Sequence, residues 1–397
     1  MELDGCRVGP CSEGRVSPAY SIRVLESVRE VPPERWDALI GDDSSPFVEH
    51  AWLEALETTG CVGGRTGWLP RHLSLWRGAD LVAAAPSYAK QHSEGEFVFD
   101  WGWAEFAERI GIHYYPKLVI AVPFTPATGD RVLVSRGEDR DAVVAVFADA
   151  ARQLCERLGT SGAHVLFPRE SEAAAWQASG YLLRDGFQFH WHRQGAATFD
   201  HYLGRFSSKQ RNQVRRELRH VSDAGIVVEA LPPEGHTPAV AHTMHGFYAS
   251  TIGKHGVWGR LYLNEAFFQR VVERFRDRLA WVVARDTATG ELVGGAFNVV
   301  KRNRLYGRYW GTNSNVPFLH FVVCYYAGIR ICLERGLDVF EPGAGGEHKR
   351  VRGFAPTLTR SAHWLADGRL RSALSPWLER ERDRVRSIIA GAELTEP

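Results

Sequence analysis

The run PFLHFVVCYYAGIRICLERGLDVFEPGAGGEHKRVRGF, Pro317 to Phe354, decides how this chain is read. Its first part is apolar along one helical face. Pro317 stands where a first turn accepts proline and Gly336 where a helix stops, so an amphipathic helix is expected between them. LDVFEPG follows as a short apolar strand. Behind it come Gly343, Gly345 and Gly346, and then Glu347, His348, Lys349, Arg350 and Arg352. A glycine-rich, ionisable loop directly after a strand is where α/β proteins gather their sites.

Working outward, LAWVVARDTATGELVGGAFNVVKRNRLYGRYWG reads as three strands separated by two turns. Before it lie a basic helical stretch, DHYLGRFSSKQRNQVRRELRHVSDAG, the strand IVVEAL, and the helices AVAHTMHGFYASTIGKHG and NEAFFQRVVERFRDR. After it come a last strand, LTRSAHWLA, and a polar helix, PWLERERDRVRSIIAGAE.

The first half echoes this order without matching it in sequence. A strand from Tyr20 and a helix opened by Pro32-Pro33-Glu34 lead to FVEHAWLEALETTG, a helix closed by Gly60. HLSLWRG and ADLVAAAPSYAK form a hairpin, followed by the aromatic, irregular EFVFDWGWAEFAERIGIHYYPKLVIAV. DAVVAVFADAARQLCERLG is a helix stopped by Gly159, and AHVLFP and FQFHWHRQG are strands. The class is α/β, with mixed sheets flanked by helices. The expected division is a flexible tail over 1–19, one domain over 20–195 and a second over 196–397.

Composition narrows the function. A length of 397 residues suits two domains, and a formal net charge of +1 supplies no global field for a polyanion. No apolar run approaches the roughly 20 residues that span a bilayer. The polar start MELDGCRVGPCSEGRVSP has no apolar core of a secretory signal, so a cytoplasmic protein is expected. Cys6 and Cys11 have no His or second Cys pair nearby, and no metal is expected. Cys324 and Cys332 read as packed thiols on the long helix.

Several phrases together resemble the FemAB-like family, placed among the GNAT acyltransferases. They are SPFVEHAWLEALETTGC, EFVFDWGWAEFAERIGIHYYPKLVIAVPFTPATG, FQFHWHRQG, SSKQRNQVRRE and the run from Leu319 to Trp364. The resemblance implies two tandem GNAT-like domains. It also implies a transferase that forms an amide by moving an acyl or aminoacyl group to an amine, as the Fem peptidyl transferases do with peptidoglycan precursors. One departure is Val322, where the family usually carries an acidic residue after the His-Phe of the central helix.

Such chemistry needs a deprotonated amine, a polarised carbonyl and a protonated leaving group. A lysine before a Gly-Phe pair resembles the C-terminal lysine segment of the Fem transferases. By that resemblance Lys349 stabilises negative charge on the carbonyl, and Glu347 or His348 takes the amine proton. His320 reads either as a packed residue or as a further catalytic candidate.

Gly343, Gly345 and Gly346 let a donor approach the backbone closely. Lys209, Arg211, Arg215, Arg216 and Arg219 form a cationic helix, offset only by Glu217 and capped by Ser207 or Ser208, which fits either a phosphate-rich donor or a solvated face. Asp100, Trp101, Tyr115 and Lys117, with Trp103 and Tyr114, read as a substrate-binding cluster or as core and rim. Trp310, Asn313 and Arg352 are further candidate substrate contacts.

The turn from Gly311 to Asn315 offers backbone amides, but it lacks the basic, glycine-rich pyrophosphate loop usual in CoA-dependent GNAT proteins. No tightly bound cofactor is expected. Aminoacyl-tRNA is slightly favoured as donor and acyl-CoA comes next, with a small-molecule or peptide amine as acceptor. The alternatives are an acyl-CoA N-acetyltransferase, a non-catalytic binder of peptidoglycan precursors, and a natural-product tailoring transferase.

Overall fold

The computed structural model describes residues 2–3, 20–254 and 260–393. Glu2–Leu3 pair with Ile22 and Arg23. The remainder of the expected lead-in over 1–19, with Cys6 and Cys11, lies outside the described residues. The chain divides into two compact units. One runs as far as Phe187 and takes in Leu358–Ser387; the other is Gln188–Thr357 with the residues from Ile388. Strand Leu182–His192 carries the chain out of the first unit, and strand Phe354–Leu365 brings it back.

In the first unit, Tyr20–Leu25, His72–Arg77, Asp80–Ala85 and Leu133–Val134 make an antiparallel sheet in that order. A second sheet orders Trp68–Pro70, Ser87–Lys90, Lys117–Ile120, Gly162–Leu166 and Ser361–Leu365. Only Lys117–Ile120 and Gly162–Leu166 run parallel there.

Helix Arg140–Leu158 is shared by both sheets. Val143, Val144, Phe147, Ala151 and Leu154 recur at helical spacing and pack on Leu73, Leu75, Val82, Leu118, Ile120 and Val165. Asp139 caps its start and left-handed Gly159 its end, the second as the sequence predicts. The stretch read as irregular holds a further helix, Trp101–Arg109. Its apolar face packs on Leu365, Leu370, Leu374 and Leu378, so tertiary burial stabilises a segment whose aromatic crowding hid the period.

In the second unit the strand order is Ile226–Ala230, Val282–Asp286, Leu292–Lys301, Arg304–Thr312, Val339–Glu341 and the end of Leu182–His192. All neighbours are antiparallel except Arg304–Thr312 with Val339–Glu341. The helix from Pro238 packs against strand Arg304–Thr312 so closely that a Cβ on Gly311 would strike the carbonyl of Phe247. Phe267, Phe268, Trp281 and Phe297 fill the space beneath, with edge-on contacts of Phe268 to Phe267 and Phe297 and a tilted one between Trp281 and Phe297. The basic stretch divides into Phe199–Gly204 and Ser208–Asp223, and Ser207 caps the second helix in a reciprocal box with Gln210.

Candidate functional site

The parallel pair in the second unit is short on one side. Its register runs Arg304 to Val339, Leu305 to Phe340 and Tyr306 to Glu341, and there it stops. The longer strand continues to Thr312, while the shorter one ends at Glu341, with Pro342 and Gly343 still close beside Gly307. The carboxyl end of a strand in an open α/β sheet is a common place for backbone groups and side chains to meet a ligand.

Glu341, the last residue of the short strand, is 1% exposed. Its Oε1 accepts from Arg304 Nη1 at 2.8 Å, and His190 Nε2 stands 3.9 Å from Oε2. Burial holds the His190 imidazole down at about 4 against the pull of Glu341, so this histidine is neutral.

Beyond the strand, Gly343, Gly345 and Gly346 all adopt positive φ, between 71° and 90°. The chain then makes a tight helical turn, Glu347–Arg352. Lys349 points inward from it and is 3% exposed. Its Nζ donates to the carbonyl oxygens of Gly343 at 2.7 Å and Ala344 at 3.4 Å. Among the described residues no carboxylate lies within ion-pair distance of it. Burial lowers its ammonium to about 8; the Cys324 thiol opposes this and the Arg308 guanidinium adds to it. Glu347 is exposed. His348 is also exposed, yet its Nε2 meets the Tyr325 hydroxyl at 2.8 Å. Burial, then the Arg352 and Lys349 charges, lower its imidazole.

The helix facing this loop is not regular. Leu319–Phe321 and Ala327–Arg335 are α-helical, while Val322–Tyr326 between them make a π turn, a form that often marks functional positions. His320 stacks on Trp310 with centroids 4.3 Å apart, and its ring lies 5.8 Å from that of His348. Burial lowers it to about 4, with His348, Lys349 and Arg352 adding. Lys349, His348, His320 and Trp310 are therefore brought together. Val322, at the position of the family's acidic residue, is buried in the π turn.

The turn at the helix start offers little to a phosphate. The amide of Asn313 donates to Val293 O and that of Ser314 to Thr312 Oγ1, so both are spent internally. The cationic helix presents more. Lys209, Arg215, Arg216 and Arg219 are exposed along Ser208–Asp223, and Arg211 is held back by Phe206 O and Ser208 Oγ. Its inner face carries Val214, Glu217 and Val221. Glu217 Oε1 accepts from Arg352 Nη2 at 2.7 Å, which commits Arg352 to a buried ion pair. Tyr326 and Glu341 escaped the sequence reading, and Glu217 entered it only as an offset to the cations; its place at the apolar spacing 214–217–221 was a signal of its inward position.

The first-unit candidates lie apart from this group in the sequence and pair among themselves. Lys117, fully buried, donates to Ser93 Oγ at 2.9 Å, to Glu96 Oε2 at 2.8 Å and to Asp100. Tyr114 donates to the same Asp100 at 2.6 Å, and Tyr115 meets Ser93 at 2.7 Å. Burial pushes Glu96 up to about 7; for Asp100 burial is again the largest single influence, but the Lys117 charge, His164 and hydrogen bonds from Lys117 and Ser93 together overcome it and bring it to about 2. Trp101 is 51% exposed and lies against Phe99, itself 58% exposed.

Mixed sheets flanked by helices in both units, with one parallel pair in each, define a tandem GNAT-like protein of acyltransferase type. The model of the FemAB-like family, described as peptidoglycan biosynthesis/recognition, matches residues 27–397, and the chain belongs to that family. A crystal structure of FemX is similar in fold, with a TM-score of 0.51 at 13% identity, covering 87% of this chain and 98% of that one. So is the C-terminal domain of a putative lysylphosphatidylglycerol synthetase from Agrobacterium fabrum, with a TM-score of 0.54 at 12% identity, covering 89% and 97%. A search of curated proteins gives no significant match. Among the described residues no helix is long and apolar enough to cross a membrane.

Proposed function

We propose that this protein forms an amide by transferring an acyl or aminoacyl group to an amine acceptor, beside the Gly343–Arg352 loop. The observation that carries the reading is Lys349: a buried amine with no carboxylate among the described residues to neutralise it, anchored by two loop carbonyls just past the end of strand Val339–Glu341. A lysine in that setting has one N–H left to donate to a carbonyl oxygen that gains charge as the acceptor amine attacks. His348, lowered below its ordinary value, can take the amine proton as the carbon–nitrogen bond forms and pass it to the departing ribose oxygen or thiol sulfur as the acyl bond to the donor breaks. Trp310 and His320 offer a stacked ring face beside it.

Two observations favour aminoacyl-tRNA over acyl-CoA as donor. The amides of Asn313 and Ser314 are already hydrogen-bonded, and four exposed cations line one helix. The test is turnover of purified protein with charged tRNA and with acetyl-CoA, across amine acceptors and at several salt concentrations. Steeply salt-dependent tRNA binding, weakened by Arg215→Ala with Arg216→Ala, supports the aminoacyl reading. Acetyl-CoA turnover without tRNA binding would replace it by acyl-CoA transfer. Lys349→Ala is expected to lower turnover by about a hundredfold or more; unchanged activity would remove Lys349 from the chemistry.

A further inference from the structure

The helix Ser208–Asp223 has two charged faces with different partners. Lys209, Arg215, Arg216 and Arg219 face solvent. Glu217, one residue from Arg216, is 1% exposed on the opposite side. Each polar atom around it has a partner. Gln213 Nε2, one turn earlier, donates to Oε1 at 2.7 Å and fixes the carboxylate on its own helix. Arg352 Nη2 donates to the same oxygen at 2.7 Å, while the Tyr326 hydroxyl donates to Oε2. Arg352 Nε closes the ring by donating to Tyr326 Oη at 3.0 Å.

Arg352 is fastened on its other sides too. Its Nη1 donates to His348 O at 2.8 Å, its guanidinium lies 3.5 Å from the Phe321 ring centroid, and its carbonyl accepts from Tyr202 at 2.9 Å. Arg352 therefore spans the turn that carries Lys349: it holds the turn by the carbonyl of His348 and by its own backbone. Glu217 is the sole carboxylate in this network.

We propose that Glu217 is a positioning residue, coupling the cation-bearing helix to the loop that holds Lys349 through its ion pair with Arg352. This rests on the transfer function proposed above and extends it to how the loop is held. A donor phosphate that settles on Arg215 or Arg216 pulls on the helix whose inner face sets Arg352, and through Arg352 the turn Glu347–Arg352. A buried pair of this kind is a poor source of net stability but a strong source of register, because either partner alone would be an uncompensated buried charge. The Val214 and Val221 contacts would suffice if the helix had only to be packed.

The experiment uses the full chain with Glu217→Gln, which keeps the shape and the Gln213 contact and removes the charge. Lys349 is titrated in the folded protein by the pH dependence of its modification with an amine-selective reagent. A loosened loop exposes Lys349 to water and removes the burial that lowers it, so its midpoint should rise from about 8 toward the ordinary lysine value of 10.5. In turnover, kcat should fall roughly tenfold with KM for the donor within about twofold, since the exposed cations are untouched. Tyr326→Phe, which removes only the bridging hydroxyl, should move both readouts in the same direction by less, and it serves if Glu217→Gln does not fold. Folded variants with an unchanged Lys349 midpoint would overturn the coupling. The midpoint can be read in the absence of any donor, so the two failures are told apart: an unchanged midpoint overturns the coupling, whereas a shifted midpoint in a protein that transfers nothing overturns the proposed function and leaves only the hold of Glu217 on the loop.

Discussion

The buried Lys349 charge should make the protein less stable at neutral than at alkaline pH, a dependence that removing the charge abolishes together with the proposed activity. The ammonium is lowered from the ordinary 10.5 to about 8 by burial. A group with a depressed lysine value binds its proton more weakly folded than unfolded, so below pH 8 folding carries the full cost. The gap corresponds to about 3 kcal/mol at roughly 1.36 kcal/mol per pH unit. The cost is relieved as pH rises from 8 toward 10.5, and linkage assigns about 2 kcal/mol of that relief to the range between pH 7 and 9.5.

Lys349→Met keeps the length and volume of the side chain and removes the charge. It also removes the bonds to Gly343 and Ala344, a loss that does not change with pH and so cancels from the comparison. Urea unfolding of both proteins at pH 7 and 9.5 reads the effect directly. The wild-type stability should gain on the variant by about 2 kcal/mol over that interval, other titrating groups being common to both. A difference that stays flat with pH would show Lys349 to be an ordinary solvated lysine, and the electrophilic role proposed for it would lose its physical basis.

Lys117→Met should cost about 3–5 kcal/mol in urea unfolding, because Asp100 and Glu96 would remain buried without their cation. A loss under 1 kcal/mol would mean that water already enters that cluster. Gly311→Ala should lower stability by about 1–3 kcal/mol, since the added methyl meets the Phe247 carbonyl. An unchanged melting temperature would show that the helix from Pro238 can back away from the strand.

Much of the second unit was legible because its elements carry local signals. Pro317 and Gly336 bracket the central helix, Ser207 caps the basic one, and Gly343, Gly345 and Gly346 do adopt the positive φ that marks a loop able to approach a ligand. The π turn at Val322–Tyr326 was not legible, because one inserted residue per turn leaves the apolar pattern nearly intact. Nor was the return of Leu358–Ser387 to the first unit, since strand Phe354–Leu365 has no composition change where it passes between units. Within the site, residue types were readable and partners were not. Arg352 stood in a row of cations and could be read as a ligand group until Glu217, 135 positions earlier, was seen to hold it.

Lys117 and Lys349 show how two buried lysines of one chain can be in opposite electrostatic settings. Both are buried, and burial alone pushes each ammonium down. Around Lys117 two carboxylates reverse that push and raise it above its ordinary value, so it stays charged and bound at every physiological pH. Around Lys349 the nearest oxygens are neutral carbonyls and Arg308 repels it, so the push stands. An ammonium whose charge is matched by neighbours has little to gain from a transition state that develops negative charge; one whose charge is unmatched gains the whole interaction. If transfer chemistry resides in this chain, the same physics that makes Lys349 costly to fold makes it the lysine able to act.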